Sequence, residues 1–243
     1  MSYSQTQVNQ LLQHVAYGEQ DKAEALIKTN PSLLLGKGTV RDYSSRTFTN
    51  ITAFQLALWA LDWHMWKMLT KYLPQPAARD QLRELEAQGT PYGKHYDFNP
   101  LLSAYKTYID NYDPWTVEQL TKHWNTVIGK LQTQVPAHVA QEYCRPDRSF
   151  EPTPSFKEIV FPRSFKIGDD PIEVWFPLST VPWLGSLGVS FGVLRDGERA
   201  RGRWNASGTA PGTFRCSRHD LSAVAELCKI RTKQYEELKA SLR

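Results

Sequence analysis

Cys216 stands three residues before His219, with Arg215 and Arg218 close by. A thiol with an adjacent base is a nucleophile pair, and positive neighbours favour the reactive thiolate. Cys144, followed by Arg145-Pro146-Asp147-Arg148, has similar surroundings. Neither lies in a signature of a cysteine-protease family. A small half-buried cysteine near a helix start is the commoner reading of such a position. Cys228 falls within the apolar stripe of a helix and is expected in the core. No catalytic residue is assigned on these grounds.

Other chemistries find less support. The six histidines, at 14, 64, 95, 123, 138 and 219, are scattered, with no His-x-x-x-His pair, so no metal site is expected. His14, His64 and His123 fall within helical stretches and read as packed or hydrogen-bonded side chains. No Gly-x-Gly-x-x-Gly follows a strand, no Walker lysine is present, and Gly185-Ser186-Leu187-Gly188 has the wrong spacing for a nucleophile elbow. No cofactor is expected. The densest charge feature is Arg195, Arg199, Arg201, Arg203, Arg215 and Arg218. The planar guanidinium fork suits phosphate, so Arg199, Arg201 and Arg203 are candidates for binding an anion such as a lipid head group. A solvated hairpin paired with Asp196, Glu198 and Asp220 is the plainer alternative.

Composition narrows the class. The 243 residues are 41% hydrophobic and 12% aromatic, ample for a packed core, and carry a net charge of +4. That mild excess does not indicate a nucleic-acid binder. Three cysteines without a Cys-x-x-Cys pair argue against a disulfide framework. The first residues lack the basic region and apolar run of a Sec signal peptide. No stretch of about 18 uninterrupted apolar residues predicts a transmembrane helix.

The chain is organised around residues 51–73, where Trp59, Trp63, Trp66, Met65 and Met68 crowd together. They read as two short helices broken near Asp62, the first capped by Thr52. Phe54, Leu56, Ala57, Leu58 and Leu61 are apolar nearly all round; Trp63, Trp66, Leu69 and Leu73 form one face. Residues 7–17 and 20–29 read as a helical hairpin turning at Gly18 and stopped by Asn30-Pro31. Residues 76–88 form an amphipathic helix ended by Gly89. Residues 99–104 open another helix, followed by a second from Trp115 to about Leu131. Thr52-Ala53-Phe54-Gln55-Leu56-Ala57 and Asn99-Pro100-Leu101-Leu102-Ser103-Ala104 approach the opening of an ankyrin repeat, with insertions and without its histidine. Three stacked, ankyrin-like hairpins are therefore expected.

Between the first two hairpins, residues 36–50 alternate as a β-finger would, with a turn near Ser44-Ser45. Arg41, Tyr43 and Arg46 of this finger are the candidate partner-binding residues. The loop 90–98 reads as a polar, aromatic connection.

Beyond Pro146 prolines become frequent and strand-like pieces appear at 158–161, 172–176 and 189–194. Asp169-Asp170-Pro171 supplies a turn, 193–199 reads as a hairpin tip, and 205–213 as a loop. A last helix runs from about Asp220 to Leu242, with Leu221, Val224, Ala225, Cys228, Tyr235 and Leu238 as its stripe. The fold class is α+β: an ankyrin-like helical region over 1–147, and a C-terminal region over 148–243 of irregular strands closed by a helix.

Leu33-Leu34-Leu35 through Phe48, Ile51 through Asp62, Cys144 through Phe150, Pro162-Arg163-Ser164, and Asp220-Leu221 through Arg231-Thr232 with Leu238-Lys239 resemble blocks of ankyrin-like effector proteins of intracellular bacteria of the Legionella and Coxiella type. The resemblance spans most of the chain and implies export by a type IV, non-Sec route into the host cytosol. Glu236-Glu237 is similar to the acidic patch of such translocation signals. The implied function is a protein-interaction module binding a host protein. The alternatives are a cysteine-dependent enzyme and an anionic-lipid binder using the arginine cluster.

Overall fold

The computed structural model describes residues 4–144, 150–163, 165–167, 170–172 and 214–242. Among them helices dominate, beside two small antiparallel β-ribbons. Helices α1 (Gln5–Ala16) and α2 (Gln20–Thr29) form the first hairpin. Val8, Leu11, Leu12 and Val15 of α1 and Ala23 and Ile27 of α2 are buried at helical spacing. Gly18 turns the chain at φ +69, and an added Cβ there would meet the Gln141 side chain at 2.8 Å. Only glycine suits both demands.

A 3-10 turn (Pro31–Leu35) leads to β1 (Gly38–Arg41) and β2 (Thr47–Ile51), paired antiparallel with Val40 opposite Phe48 and Arg41 opposite Thr47. The second hairpin is α3 (Ala53–Trp59) and α4 (Trp63–Leu69), both seven residues long. Thr52 caps α3 through a reciprocal capping box with Gln55, and Asp62 caps α4 by accepting from the Met65 amide at 3.1 Å. The break at Asp62 is thus a cap at a buried turn. Helix α1 lies against α3, and α2 against α4.

Helix α5 (Gln75–Gln88) packs on α3 and ends at Gly89, φ +65. Then come α6 (Asn99–Asp110), α7 (Val117–His123), a π-helical turn (Trp124–Ile128), α8 (Gly129–Gln132) and α9 (Ala137–Cys144). The helix expected from Trp115 begins at Val117, because Thr116 caps it through Gln119. Helix α6 runs chiefly along the last helix, α10 (Phe214–Ser241). Helix α6 is thus covered by a helix more than 100 residues further along the chain.

Two expectations for the C-terminal part are corrected. Residues 158–161 are not a strand: they belong to an irregular strap, 150–163, whose Phe150, Phe156 and Phe161 are buried while Ile159 and Val160 are exposed. Side chains from elsewhere take its carbonyls, His64 that of Glu158 and Arg231 that of Phe156. A ladder would need those same groups. Of the expected turn Asp169-Asp170-Pro171, Asp169 lies outside the described residues, and Asp170 and Pro171 open β4 (Asp170–Ile172), which pairs antiparallel with β3 (Phe165–Ile167), Ile167 opposite Asp170. The stripe of α10 is as expected at Val224 and Tyr235, which are buried, and at Leu221, Cys228 and Leu238, which pack against the core, but not at Ala225, which is exposed; Ala223, Leu227, Ile230 and Arg231 complete the buried face. The pieces expected at 189–194, 193–199 and 205–213 lie outside the described residues, as does most of 172–176.

Candidate functional site

The β-finger is built from its turn outward. Asp42 closes it: its carbonyl accepts the Ser45 amide and its amide donates to the Arg46 carbonyl, each at 3.0 Å. Its carboxylate accepts the Arg46 amide at 2.9 Å and Nε at 2.8 Å. Ser45 takes φ +66 at the tip, where the turn was expected. The Arg46 guanidinium lies 4.7 Å from the Trp59 ring centroid and 5.8 Å from that of Tyr96. Arg46 is therefore half-buried and committed inside the molecule.

Tyr43 leans the other way and stacks on Tyr17, ring centroids 3.9 Å apart. Burial first, then the Glu19 carboxylate and Tyr17, push its phenol up to about 12. The Ser44 hydroxyl donates to the Thr133 carbonyl at 2.9 Å, tying the tip to the end of α8. At the base, Phe48, Trp59, Tyr92 and Tyr96 form an edge-to-face cluster, and the Tyr92 hydroxyl accepts the Thr47 amide at 3.0 Å. The finger is thus fixed on three sides. What it presents outward is Arg41 with Thr39, Thr47 and Thr49, all exposed. Of the three residues expected to meet a partner, Arg41 faces outward, whereas Tyr43 and Arg46 hold the finger in place. Beside β2, a cleft of about 60 Å³ lies between Phe48–Ile51 and the end of α5. Glu84 on its wall is paired with Lys37 and bonded by Gln55.

Behind the finger is a buried polar joint that the sequence did not disclose. The Arg163 guanidinium donates to both Asp62 carboxylate oxygens, at 2.7 and 2.8 Å. It also donates to Gln20 Oε1 and Gln141 Oε1, at 2.9 and 3.0 Å. Burial pushes the Asp62 carboxyl up, but the charge and hydrogen bonds of Arg163, together with the neighbouring His138 and His64, more than offset it and hold the group well below the usual carboxylate range. His138, 1% exposed, donates from Nε2 to the Ala60 carbonyl at 2.8 Å; its Nδ1 has no hydrogen-bond partner among the described residues. His64 is hydrogen-bonded at Nε2 to the Glu158 carbonyl at 2.8 Å and stacks on Phe161. Arg231 of α10 faces Glu142 at 3.7 Å and Trp63 at 6.0 Å. The one sequence signal for this joint was a charge, Asp62, set between two apolar helical runs.

The remaining candidates are placed as follows. His219 of α10 approaches Glu151 at 3.5 Å, and Cys216 precedes it on the same helix. Cys144 ends α9. Cys228 is half-buried, and burial pushes its thiol up. His14 meets Glu19 and His123 the Ala104 carbonyl, both hydrogen-bonded as expected. Arg199, Arg201 and Arg203 lie outside the described residues. Among the described residues there is no group of three or more His, Cys, Asp or Glu able to hold a metal ion, and no helix is long and apolar enough to cross a membrane.

Comparison with known proteins gives the lineage. Residues 100–242, from the start of α6 to the end of α10, match the family described as CBUA0006 C-terminal domain. The chain is also 37% identical, over 263 aligned residues, to the uncharacterized protein CBUA0006 of Coxiella burnetii (strain RSA 493 / Nine Mile phase I). The alignment covers 94% of this chain and 73% of that protein. The chain belongs to the CBUA0006 family. No solved structure matches it. The alignment with CBUA0006 covers nearly the whole chain, the finger included. The family match alone begins after both the finger and Asp62.

Proposed function

We propose that this protein is an effector-type interaction module, an ankyrin-like stack whose β-finger engages a host protein. The observation that carries the reading is the fixed outward row of Thr39, Arg41, Thr47 and Thr49 on a finger anchored by Tyr43, Ser44 and Arg46. A pre-ordered surface loses little conformational freedom on binding. The packing of α1 on α3 and of α2 on α4, with the finger between the hairpins, supports the ankyrin-like arrangement. Membership of a family with a Coxiella burnetii relative supports delivery by a type IV, non-Sec route to the host cytosol.

The test is capture of host-lysate proteins by the purified chain, against a variant carrying Arg41→Glu with Thr47→Arg. Both changed side chains point to solvent, so the fold is kept. A saturable partner lost from the variant is expected; a partner retained unchanged overturns the finger reading. Delivery is tested with a reporter fusion, which should lose translocation in a type IV-deficient strain. Such a fusion with Glu236→Ala and Glu237→Ala shows whether that pair contributes.

A second reading rests on His219, whose ring nitrogen lies 3.5 Å from Glu151, with Cys216 three residues earlier on α10. It is the base-and-orienter part of a cysteine-dependent enzyme. Cys216→Ser against Cys228→Ser, each tested with an electrophilic thiol probe, separates it from the first. Equal labelling of both variants removes the enzyme reading.

A further inference from the structure

Four segments distant in sequence meet at Asp62: the first hairpin turn through Gln20, helix α9 through His138 and Gln141, the strap through Arg163, and α10 through Arg231. Two guanidiniums, Arg163 and Arg231, act on both His64 and His138. The nearby carboxylates are Asp62, which Arg163 occupies on both oxygens, and Glu142, which faces Arg231. The Glu158 side chain also lies near Arg231, though it is its carbonyl that meets His64. His138 and Asp62 line one cleft of about 20 Å³, with Asp42 and Trp59 on its other walls. A proton on either imidazole therefore adds a positive charge to a buried site whose nearest carboxylate is already taken by an arginine.

We propose that the strap 150–163 is an acid-released latch, in which protons on His64 and His138 replace Arg163 as the countercharge of Asp62. In the closed state both rings are neutral. His64 holds the strap at the Glu158 carbonyl, and Phe161 covers the ring. When Arg163 withdraws, Asp62 is left without its guanidinium, and the two imidazoles beside it become its nearest cations once protonated. Opening thus exchanges one arginine for up to two protons. The proposal stands apart from the finger reading, since neither histidine belongs to the finger.

Burial, more than the two guanidiniums, pulls the closed-state rings down, His64 to about 3 and His138 to about 4. A solvated ring titrates near ~6.5. Opening is therefore unassisted above about pH 7 and gains as pH falls through that ordinary histidine range. Between pH 7.5 and 5 the opening equilibrium rises about 30-fold for each histidine, or ~1,000-fold for the pair.

A glutamyl endopeptidase active from mild acid to neutral pH reads the opening at Glu158. Its cleavage rate is normalised to an unstructured peptide of the same sequence, with Glu84 of α5 as the marker of global unfolding. The intact chain should show a steep rise of Glu158 cleavage towards pH 5, ahead of any at Glu84. His64→Gln with His138→Gln keeps an amide donor for each carbonyl and removes the titration, so its profile should stay within about 3-fold of flat. An equal rise in the double variant, or a flat profile in the intact chain, overturns the proposal. Should the variant not fold, ring resonances of the intact chain decide: rings titrating near ~6.5 with the strap still protected overturn the latch. Rings neutral until the strap opens support it.

Discussion

Asp62 and Arg163 lie 101 residues apart and meet as a two-pronged ion pair, 2.7 and 2.8 Å long, with side chains 5% and 10% exposed. The same carboxylate caps α4 through the Met65 amide. One residue thereby starts a helix, fixes the turn between two helices and receives the strap.

Arg163→Met should leave Asp62 buried without its cation. Breaking one side of such a pair costs about 3–5 kcal/mol. Urea denaturation at pH 7 should show a large fall in midpoint with little change in slope. The double change Asp62→Leu with Arg163→Met should recover part of the loss, since the unpaired charge is then gone.

The acid limb of stability follows from the same pair. The folded-state Asp62 carboxyl lies below its ordinary value of 3.8. Its contribution is therefore fully present above that value and is lost as pH falls through the folded-state one. Acid denaturation below about pH 4 should be steeper in the intact protein than in Asp62→Asn. An identical slope in both would mean the pair does not carry it.

Arg46 and Arg41 sit on one finger and should behave oppositely. Arg46→Ala removes the bracket to Asp42 and the guanidinium over Trp59, and should cost about 2–3 kcal/mol. Trp59 emission should shift as the ring loses its cover. Arg41→Ala, on the exposed side, should stay within about 0.5 kcal/mol of the intact protein by the same thermal melts.

Thr52→Ala tests the central cap. Its hydroxyl accepts the Gln55 amide at 3.1 Å and donates to Gln81 Oε1 at 2.6 Å, all buried. Losing both should cost about 1–3 kcal/mol. Thr52→Ser keeps both bonds and should restore most of it, as read by denaturant midpoints.

Tyr235→Phe tests the seam between α10 and α5. The hydroxyl donates to Glu86 at 2.6 Å, and the ring lies edge-on to Trp66. The ring stays in the variant, so about 1–2 kcal/mol is expected from the lost charged hydrogen bond alone. Double-mutant analysis with Glu86→Gln should show coupling between the two positions.

What was legible in the sequence was local. Thr52, Gly18, Asn30-Pro31 and Gly89 mark starts and stops by their own backbone chemistry, and all four do so in the fold. The finger showed through its alternation and turn. What escaped were residues whose role is set by partners far along the chain. Arg163 reads as a surface charge until Asp62 is placed beside it. Arg231 and Asp220 interrupt the apolar periodicity of α10, so spacing alone points to Ala225, which is exposed, and passes over both buried charges. Tyr43 and Arg46 look like contact residues in a loop, and only Tyr17 and Trp59 show them to be braces. The strap escaped because its anchors, Phe150, Phe156 and Phe161, follow neither a helical nor a strand period.

Helix α10 has a consequence for the order of events at the ribosome. It is synthesised after every other described element, yet it lies along α6, its Tyr235 reaches α5, and its Arg231 holds the strap. The early hairpins can form as they emerge, since their contacts are local. The apolar flank that α10 covers stays bare until the codons for that helix have been read. Closure of this flank therefore waits for synthesis of α10, and a chain released before that helix carries an open, sticky side.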